Sequence, residues 1–242
     1  MNLVSLQFKT ISNYQTNLDK LTTLINQCEE NSIIVAPEVC ITGYDYNNFD
    51  LAINFSYTII DTLLKLSTNK TICTTIINKR DNKVLNTLYI FKNNKIIHTQ
   101  DKVKLFTFGN EDDYFQYGDM NKINIIDIDG IEIASLICFE LRFIDIWQQI
   151  KGADIILIPA MWGKLRKQNF ESLTNALAIM NQCYVIASDS SNDDMASSSG
   201  IINPFGKEIR DDNKEIITIE FDNSNIKKMR RYMDVGIKYN KI

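Results

Sequence analysis

The sequence predicts an α/β protein folded as a single domain, 1-242, and three observations carry that reading. Strand-like and helix-like periodicities alternate at the start of the chain. They alternate again after Phe143, and 242 residues suffice for one full core without an inter-domain linker or an internal repeat. Residues 3–8 alternate apolar and polar side chains as a strand does, and from about 13 to 30 Leu18, Leu21, Leu24, Ile25 and Cys28 share one helical face. Residues 32–36 form a short apolar strand stopped by Pro37; 40–49 is a polar, aromatic loop, and a helix follows through about Leu66. Residues 71–77, 84–91 and 95–99 are the strands of a meander, with Asp81-Asn82 and Asn93-Asn94 at its turns.

The stretch 101–119 is long, charged and aromatic, and a long loop in a compact domain is usually functional or disordered. Asp129-Gly130 has the strong type I′ preference of a hairpin turn, and the apolar run 131–138 follows it. Beyond lie a helix around 143–151, a strand at 154–159, a helix at 167–181 and a strand at 184–188. Strands at 200–202 and 215–221 flank the turn Asn203-Pro-Phe-Gly206, and 188–199 is polar enough to predict a mobile loop.

A net charge of -4 is not the basic excess that phosphate-backbone binding leaves, so nucleic acid is not an expected partner. The N-terminus lacks the charged flank and long apolar stretch of a signal peptide, and nowhere do 18 apolar residues run together; the expectation is a soluble, cytoplasmic protein without a membrane partner. Its five cysteines are odd in number and far apart, with no C-x-x-C, which argues for reduced thiols and against a disulfide framework or a zinc cluster. No metal site is expected.

Cys138 ends the apolar run Ile131-Glu-Ile-Ala-Ser-Leu-Ile-Cys138 and is followed at once by Phe139-Glu-Leu-Arg-Phe143 and a helix-like stretch. A thiol at such a strand-to-helix turn is presented at the sheet surface, and the backbone N–H of the next residue, Phe139, is free to face a developing oxyanion. The competing reading is a buried structural cysteine. Glu38 follows a predicted strand, so its carboxylate emerges at the strand's carboxyl end, where open α/β sheets place their sites. Lys102 lies just beyond another strand. Singly, each reads more readily as a solvated surface charge than as a catalytic group. Together the three supply a nucleophile, a base that returns its proton to the leaving amine, and a cation for the oxyanion. That chemistry requires no histidine, and His98, within Lys95-Ile-Ile-His-Thr99, reads as a strand-face residue.

Pro37-Glu38 with Thr42-Gly43-Tyr44, then Asp101-Lys102-Val-Lys-Leu105-Phe106, then Ile137-Cys138-Phe-Glu-Leu-Arg142-Phe143, resemble in order and spacing the three signatures of the carbon-nitrogen hydrolase (nitrilase) superfamily. The resemblance continues through Gly152-Ala153-Asp154, Pro159-Ala160, Asn181-Gln182, Asn203-Pro204 and Arg231-Tyr232, nearly end to end. It implies a four-layer αββα sandwich, a homodimer, no cofactor, and Cys138 as nucleophile, Glu38 as general base and then acid, and Lys102 as stabiliser of the tetrahedral intermediate. It also implies an auxiliary active-site glutamate at Glu111, with Gly118 downstream; the alternative is one acid of Glu111-Asp112-Asp113 on a solvated loop. Three residues depart from the pattern: Glu140 where Asp is commoner, Ile144 where Pro often stands, and Lys104 where His is frequent. They leave open the shape of the pocket and whether Arg142 braces the turn or meets substrate.

The run 106–118 and Pro159-Ala-Met-Trp-Gly-Lys-Leu-Arg166 look most like the ω-amidase branch. Tyr44, Trp162 and Arg166 are then the substrate-binding candidates, a guanidinium suiting a carboxylate. Alternatively Trp162 is core and Arg166 a helix-start cation on a solvated face. The functional expectation is cysteine-dependent hydrolysis of a small linear amide bearing a carboxylate, releasing ammonia. An N-carbamoyl amidohydrolase or another family amidase is the runner-up, and a non-catalytic scaffold is the third reading.

Overall fold

In this computed structural model residues 1–237 are described. The first half contains β1 (Asn2–Leu6), α1 (Tyr14–Gln27), β2 (Ser32–Val35), α2 (Phe49–Leu66), β3 (Lys70–Arg80), β4 (Lys83–Lys92) and β5 (Lys95–Asp101). The second contains α3 (Glu111–Tyr114), β6 (Ile126–Ile128), β7 (Ile131–Ser135), α4 (Ile144–Gln149), β8 (Ile155–Pro159), α5 (Lys167–Asn181), β9 (Tyr184–Ser188), β10 (Gly200–Ile202), β11 (Glu208–Arg210), β12 (Ile216–Glu220) and α6 (Asn223–Tyr232). Two six-stranded sheets result, ordered β12-β1-β2-β3-β4-β5 and β11-β10-β9-β8-β7-β6. In each, three central strands run parallel, β1-β2-β3 and β7-β8-β9, with antiparallel strands at the flanks.

Period-two alternation divides the apolar side chains of the first sheet between two cores. Leu3, Ile33, Val35, Leu88 and Ile90 face the second sheet and join Ile133, Leu157 and Ile186 there. Val4, Leu6, Ile34, Tyr89 and Phe91 point the other way, onto Leu18, Leu21 and Ile25 of α1 and Ile59 and Leu63 of α2. Phe170, Leu177 and Ala178 of α5 cover the second sheet in the same manner. The fold is therefore the expected αββα sandwich, two sheets back to back with helices outside. Between the sheets two hydroxyls bond across the core, Ser5 Oγ to Ala187 O at 2.7 Å and Ser188 Oγ to Leu6 O at 2.6 Å.

Both central residues of the Asp129-Gly130 turn have positive φ, 56° and 81°, as a type I′ hairpin requires. Two sequence expectations need correction. The short edge strand β11 went unanticipated, because Glu208 and Arg210 flank its one apolar residue, Ile209, and leave no apolar run to read. The stretch 188–199 is folded inward at both ends: Ser188, Asp189, Ser190, Ser198 and Ser199 are buried, with Asp189 N–H donating to Ser199 Oγ at 2.8 Å and Ser188 Oγ to Leu6 O, while Asp193 and Asp194 between them are exposed. Polar composition there reflects a buried hydrogen-bond network, not solvation. Among the described residues no helix is long and apolar enough to cross a membrane.

Candidate active site

Three strand ends meet at one edge of the sandwich: Glu38 after β2, Lys102 after β5 and Cys138 after β7. Hydrogen bonds between the ends fix them. Glu38 N–H donates to Ala160 O beyond β8 at 3.1 Å, and Gln100 Nε2 of β5 donates to Ser135 O of β7 at 3.1 Å. Gly118 N–H donates to Lys102 O at 2.9 Å, and a Cβ at Gly118 would lie 2.5 Å from Asp101 O, so only glycine permits this approach to the lysine.

The backbone is strained on both sides of the site. Cys138 has φ 45°, and Val39, next to Glu38, has φ 40°, an outlier for a β-branched residue that persists only where its surroundings over-determine it. At Val39 the Thr75 hydroxyl accepts its N–H at 2.8 Å. At Cys138 the brace is Glu140, whose Oε2 accepts Ile137 N–H at 2.7 Å and whose Oε1 accepts Val103 N–H at 2.6 Å. One buried carboxyl thus ties the turn of Cys138 to the residue after Lys102. Burial pushes that carboxyl up to about 7, against the pull of the two N–H donors. Phe139 is second in the 3-10 turn Cys138–Arg142, where no preceding turn supplies an acceptor for its N–H.

Lys102 Nζ donates to Glu38 Oε1 at 2.8 Å, to Glu111 Oε1 at 2.8 Å and to Tyr44 Oη at 3.2 Å. Glu38, Lys102 and Glu111 are all buried. Burial alone would discharge the lysine, but the two carboxylates outweigh it and raise its pKa. Glu111 Oε2 also accepts Phe106 N–H at 3.0 Å, so the auxiliary glutamate is built into the cluster and not spread on a solvated loop. Burial, then the negative charge of Glu38, push the Cys138 thiol well above its ordinary range, while Lys102 and the Met161 N–H pull it down. The resting sulfur is therefore protonated and needs a base at the moment of attack. Glu38 Oε1 is held by Lys102 and by Asn86 Nδ2 at 2.8 Å, whereas its Oε2 has no partner among the described residues.

Cys138 and Glu111 line a cavity of about 200 Å³ together with Tyr44, Phe106, Phe139, Met161 and Trp162. Arg142 and Arg166 line it as well. Cys138 and Glu111 are buried, Arg166 is half-buried and Arg142 is exposed, so the cavity runs from a thiol-and-acid end to a cationic end near solvent. The Arg142 guanidinium stacks 5.0 Å from the Trp162 ring and that of Arg166 lies 5.1 Å from the Phe106 ring. Trp162 Nε1 donates to Arg166 O at 2.9 Å, and Trp162 is at once core, against Phe170, and cavity wall. Arg80, Arg210 and Arg230 have carboxylate partners; Arg142 and Arg166 have none among the described residues. Arg142 instead donates to Asn169 Oδ1 at 2.9 Å.

The structure thus brings together Glu38, Lys102, Cys138, Glu111 and Tyr44 at one end and Trp162 and Arg166 at the other. His98 lies apart, on edge strand β5. Sequence reasoning overlooked Asn86, Met161 and Asp189. Asp189 Oδ1 accepts Trp162 N–H at 2.6 Å and Oδ2 accepts Ser197 N–H at 3.0 Å, holding the cavity wall. The available signal for Asn86 was a pair of polar residues, Asn86-Thr87, interrupting an apolar strand. Among the described residues no group of three or more His, Cys, Asp or Glu side chains is arranged to hold a metal ion, and Glu38 and Glu111 both turn to Lys102.

A sandwich of this kind with an acid, a lysine and a thiol at its strand ends defines a class of hydrolase, and comparison with known proteins agrees. The chain belongs to the carbon-nitrogen hydrolase family, which it matches over residues 4–231. It is 31% identical over 204 residues to 2-oxoglutaramate amidase of Bacillus subtilis (strain 168), covering 78% of each chain. It is 27% identical over 183 residues to Omega-amidase YafV of Yersinia enterocolitica, covering 74% of this chain and 70% of that one. The crystal structure of Saccharomyces cerevisiae Nit3, a member of branch 10 of the nitrilase superfamily, superposes with a TM-score of 0.85 at 21% identity, over 98% of this chain and 95% of that one. Family membership makes the protein a hydrolase of carbon–nitrogen bonds of the amidase kind.

Proposed function

We propose that the protein hydrolyses the terminal amide of a small linear compound bearing a carboxylate, releasing ammonia by way of a thioester on Cys138. One cavity lined by Cys138 and Glu111, with Glu38 and Lys102 bonded behind them, and by two guanidinium groups without carboxylate partners among the described residues carries this reading. The Cys138 sulfur attacks the amide carbon while its proton passes to Glu38 Oε2. Lys102 Nζ and Phe139 N–H stabilise the tetrahedral oxyanion. Glu38 then returns the proton to the departing nitrogen, which leaves as ammonia, and the thioester remains. Water attacks the thioester, Glu38 takes its proton and hands it to the sulfur, and the acid is released. Two carboxylates flank one lysine, so a preformed thiolate is disfavoured and deprotonation accompanies attack.

At the other end Arg166 and Arg142 suit the substrate carboxylate, by bidentate hydrogen bonding. Similarity to proteins named 2-oxoglutaramate amidase and Omega-amidase supports an acyl group of that size and charge. The test is ammonia release from succinamate, butyramide and an N-carbamoyl amine by the same preparation. Succinamate is expected to win over butyramide by about tenfold or more in kcat/KM. A preference for the carbamoyl compound moves the protein to the N-carbamoyl amidohydrolase reading, and no turnover of any member of the panel raises the scaffold reading. Prolonged dialysis against EDTA is expected to leave activity intact, since the cluster supplies base, nucleophile and cation without a metal; loss restored by zinc would sink the mechanism.

A homodimer belongs to the same reading. The ends of α5 and α6 meet where Gln182 Nε2 donates to Met233 O at 2.6 Å, and they expose Ile179, Met180 and Tyr232 on an area suited to a second copy of the chain. Sedimentation equilibrium checks it. The five free, buried cysteines suit a reducing compartment such as the cytoplasm.

A further inference from the structure

We infer that Asn86 is a positioning residue that decides which oxygen of Glu38 carries protons, an inference that rests on the reading of Glu38 as the base. Asn86 lies on β4 with 1% of its surface exposed, and it touches both charged partners of the site. Its main-chain carbonyl accepts Lys102 N–H at 2.9 Å. Its side-chain Nδ2 donates to Glu38 Oε1 at 2.8 Å and to Tyr44 Oη at 3.1 Å. Exchanging the amide nitrogen and oxygen would set two acceptors against each other at Glu38, so the orientation is dictated by the carboxylate.

The result is an unequal carboxylate. Oε1 accepts two donors, Lys102 Nζ and Asn86 Nδ2, and Oε2 accepts none among the described residues. An oxygen whose lone pairs are already committed to a cation and an amide is the poorer proton acceptor, which leaves Oε2 to take the thiol proton and later return it. Lys102 alone does not secure this, because an ammonium pivots and its three donors reach either oxygen. A planar amide on a strand does not pivot in that way. The fold accepts a cost for the arrangement: Asn86 Oδ1 is buried without a partner among the described residues, where an apolar side chain like its neighbours Leu85 and Leu88 would leave no such atom. A residue retained for packing would not be an asparagine.

The side chain can be removed without touching the carbonyl that anchors Lys102, so substitutions report on the amide alone. Asn86→Leu removes the donor at similar volume, and Asn86→Asp keeps the shape while replacing the donor by an acceptor. Each is compared with wild type and Glu38→Gln by three measurements: melting temperature, kcat and KM for succinamate, and the rate of Cys138 alkylation by iodoacetamide followed by intact mass. Alkylation reads the sulfur without depending on which amide is the substrate. Expected are a folded protein, kcat down about 10- to 100-fold with KM within about threefold, and alkylation slowed about tenfold or more, with Asn86→Asp at least as impaired as Asn86→Leu. Wild-type kcat and alkylation in a folded variant, or a loss confined to KM, overturns the inference. If Asn86→Leu does not fold, Asn86→Asp and Asn86→Ser decide by the same numbers. Fast alkylation of Glu38→Gln brings down the base reading and this inference with it. Slow Glu38→Gln beside fast Asn86 variants brings down only the inference.

Discussion

The two ends of the cavity are built on different principles. At the inner end every charged group is buried and held from several sides: Lys102 by two carboxylates, Glu38 by a lysine and an amide, and the Cys138 turn by Glu140. At the outer end the two guanidinium groups rest on aromatic faces, bond to carboxylates nowhere among the described residues, and are in contact with solvent. Buried charge tolerates no missing partner, so the inner end is fixed in geometry and indifferent to what the acyl chain carries beyond the amide. Stacked cations near water are screened and adjustable. On the proposed function, reaction type resides at one end and substrate choice at the other, and substitutions at the two ends should differ in kind as well as in size.

The largest effect belongs to the sulfur. Cys138→Ala is expected to abolish turnover of every amide, by at least about 10⁴-fold, while leaving the fold, because the covalent route disappears and a small side chain suits a strained turn. Wild type quenched with substrate should carry an acyl adduct on Cys138 by peptide mass mapping; an adduct on Cys40 would relocate the nucleophile. Next comes Lys102→Ala, expected to lower kcat by about 10² or more for charged and neutral amides alike, since a preorganised oxyanion donor is lost and two buried carboxylates are left facing each other. A loss confined to substrates bearing a carboxylate would erase the distinction between the two ends.

The inner end was legible in the sequence because its residues lie beside strand ends in three separated signatures, each marked by proline, glycine or an abrupt change from apolar to polar. The elements were legible too, since strands buried on both faces read as apolar runs and α1, α2 and α5 fell where helical spacing put them, but their stacking in four layers came from the family resemblance alone. What composition concealed was polarity used inside. The stretch 188–199 reads as solvated, yet Asp189 and its serines are buried, because a hydrogen-bonded polar side chain and a hydrated one look alike in sequence. Asn86 was hidden likewise, its role set by a cross-strand neighbour and by Glu38, far away along the chain. Trp162 and Arg166 could be nominated from sequence and Arg142 left open, but their stacking depends on a loop and a helix start packing against Phe106 and Phe170, which no local pattern encodes.

At the outer end the expected effects are smaller and selective. Arg166→Gln should reduce kcat/KM for succinamate by about tenfold and leave butyramide within about twofold. The modest figure follows from exposure. Arg166 is half-buried, so water replaces part of what the substrate carboxylate gives up, and the few-kcal/mol penalty of a fully buried unpaired cation does not apply. Equal loss on both substrates would show that Arg166 supports the wall through Trp162 and does not recognise charge.

The smallest effect is expected at Lys104, two residues from Lys102 and indistinguishable from it by residue type. Its Nζ is 3.7 Å from Asp145 Oδ2 and 4.7 Å from the centre of the Phe143 ring, on the α4 side of the turn and away from Glu38 and Glu111. That ion pair is solvent-accessible, so removing it costs at most about 1 kcal/mol of stability. Among the described residues no hydrogen bond connects Lys104 to Lys102 or Phe139, the proposed oxyanion donors. Lys104→Ala should therefore keep kcat within about threefold for every amide, and the paired comparison with Lys102→Ala is the measurement. Equal losses in the two variants would mean that the cluster responds to general positive charge and not to one placed ammonium. The inner end would then be as adjustable as the outer one.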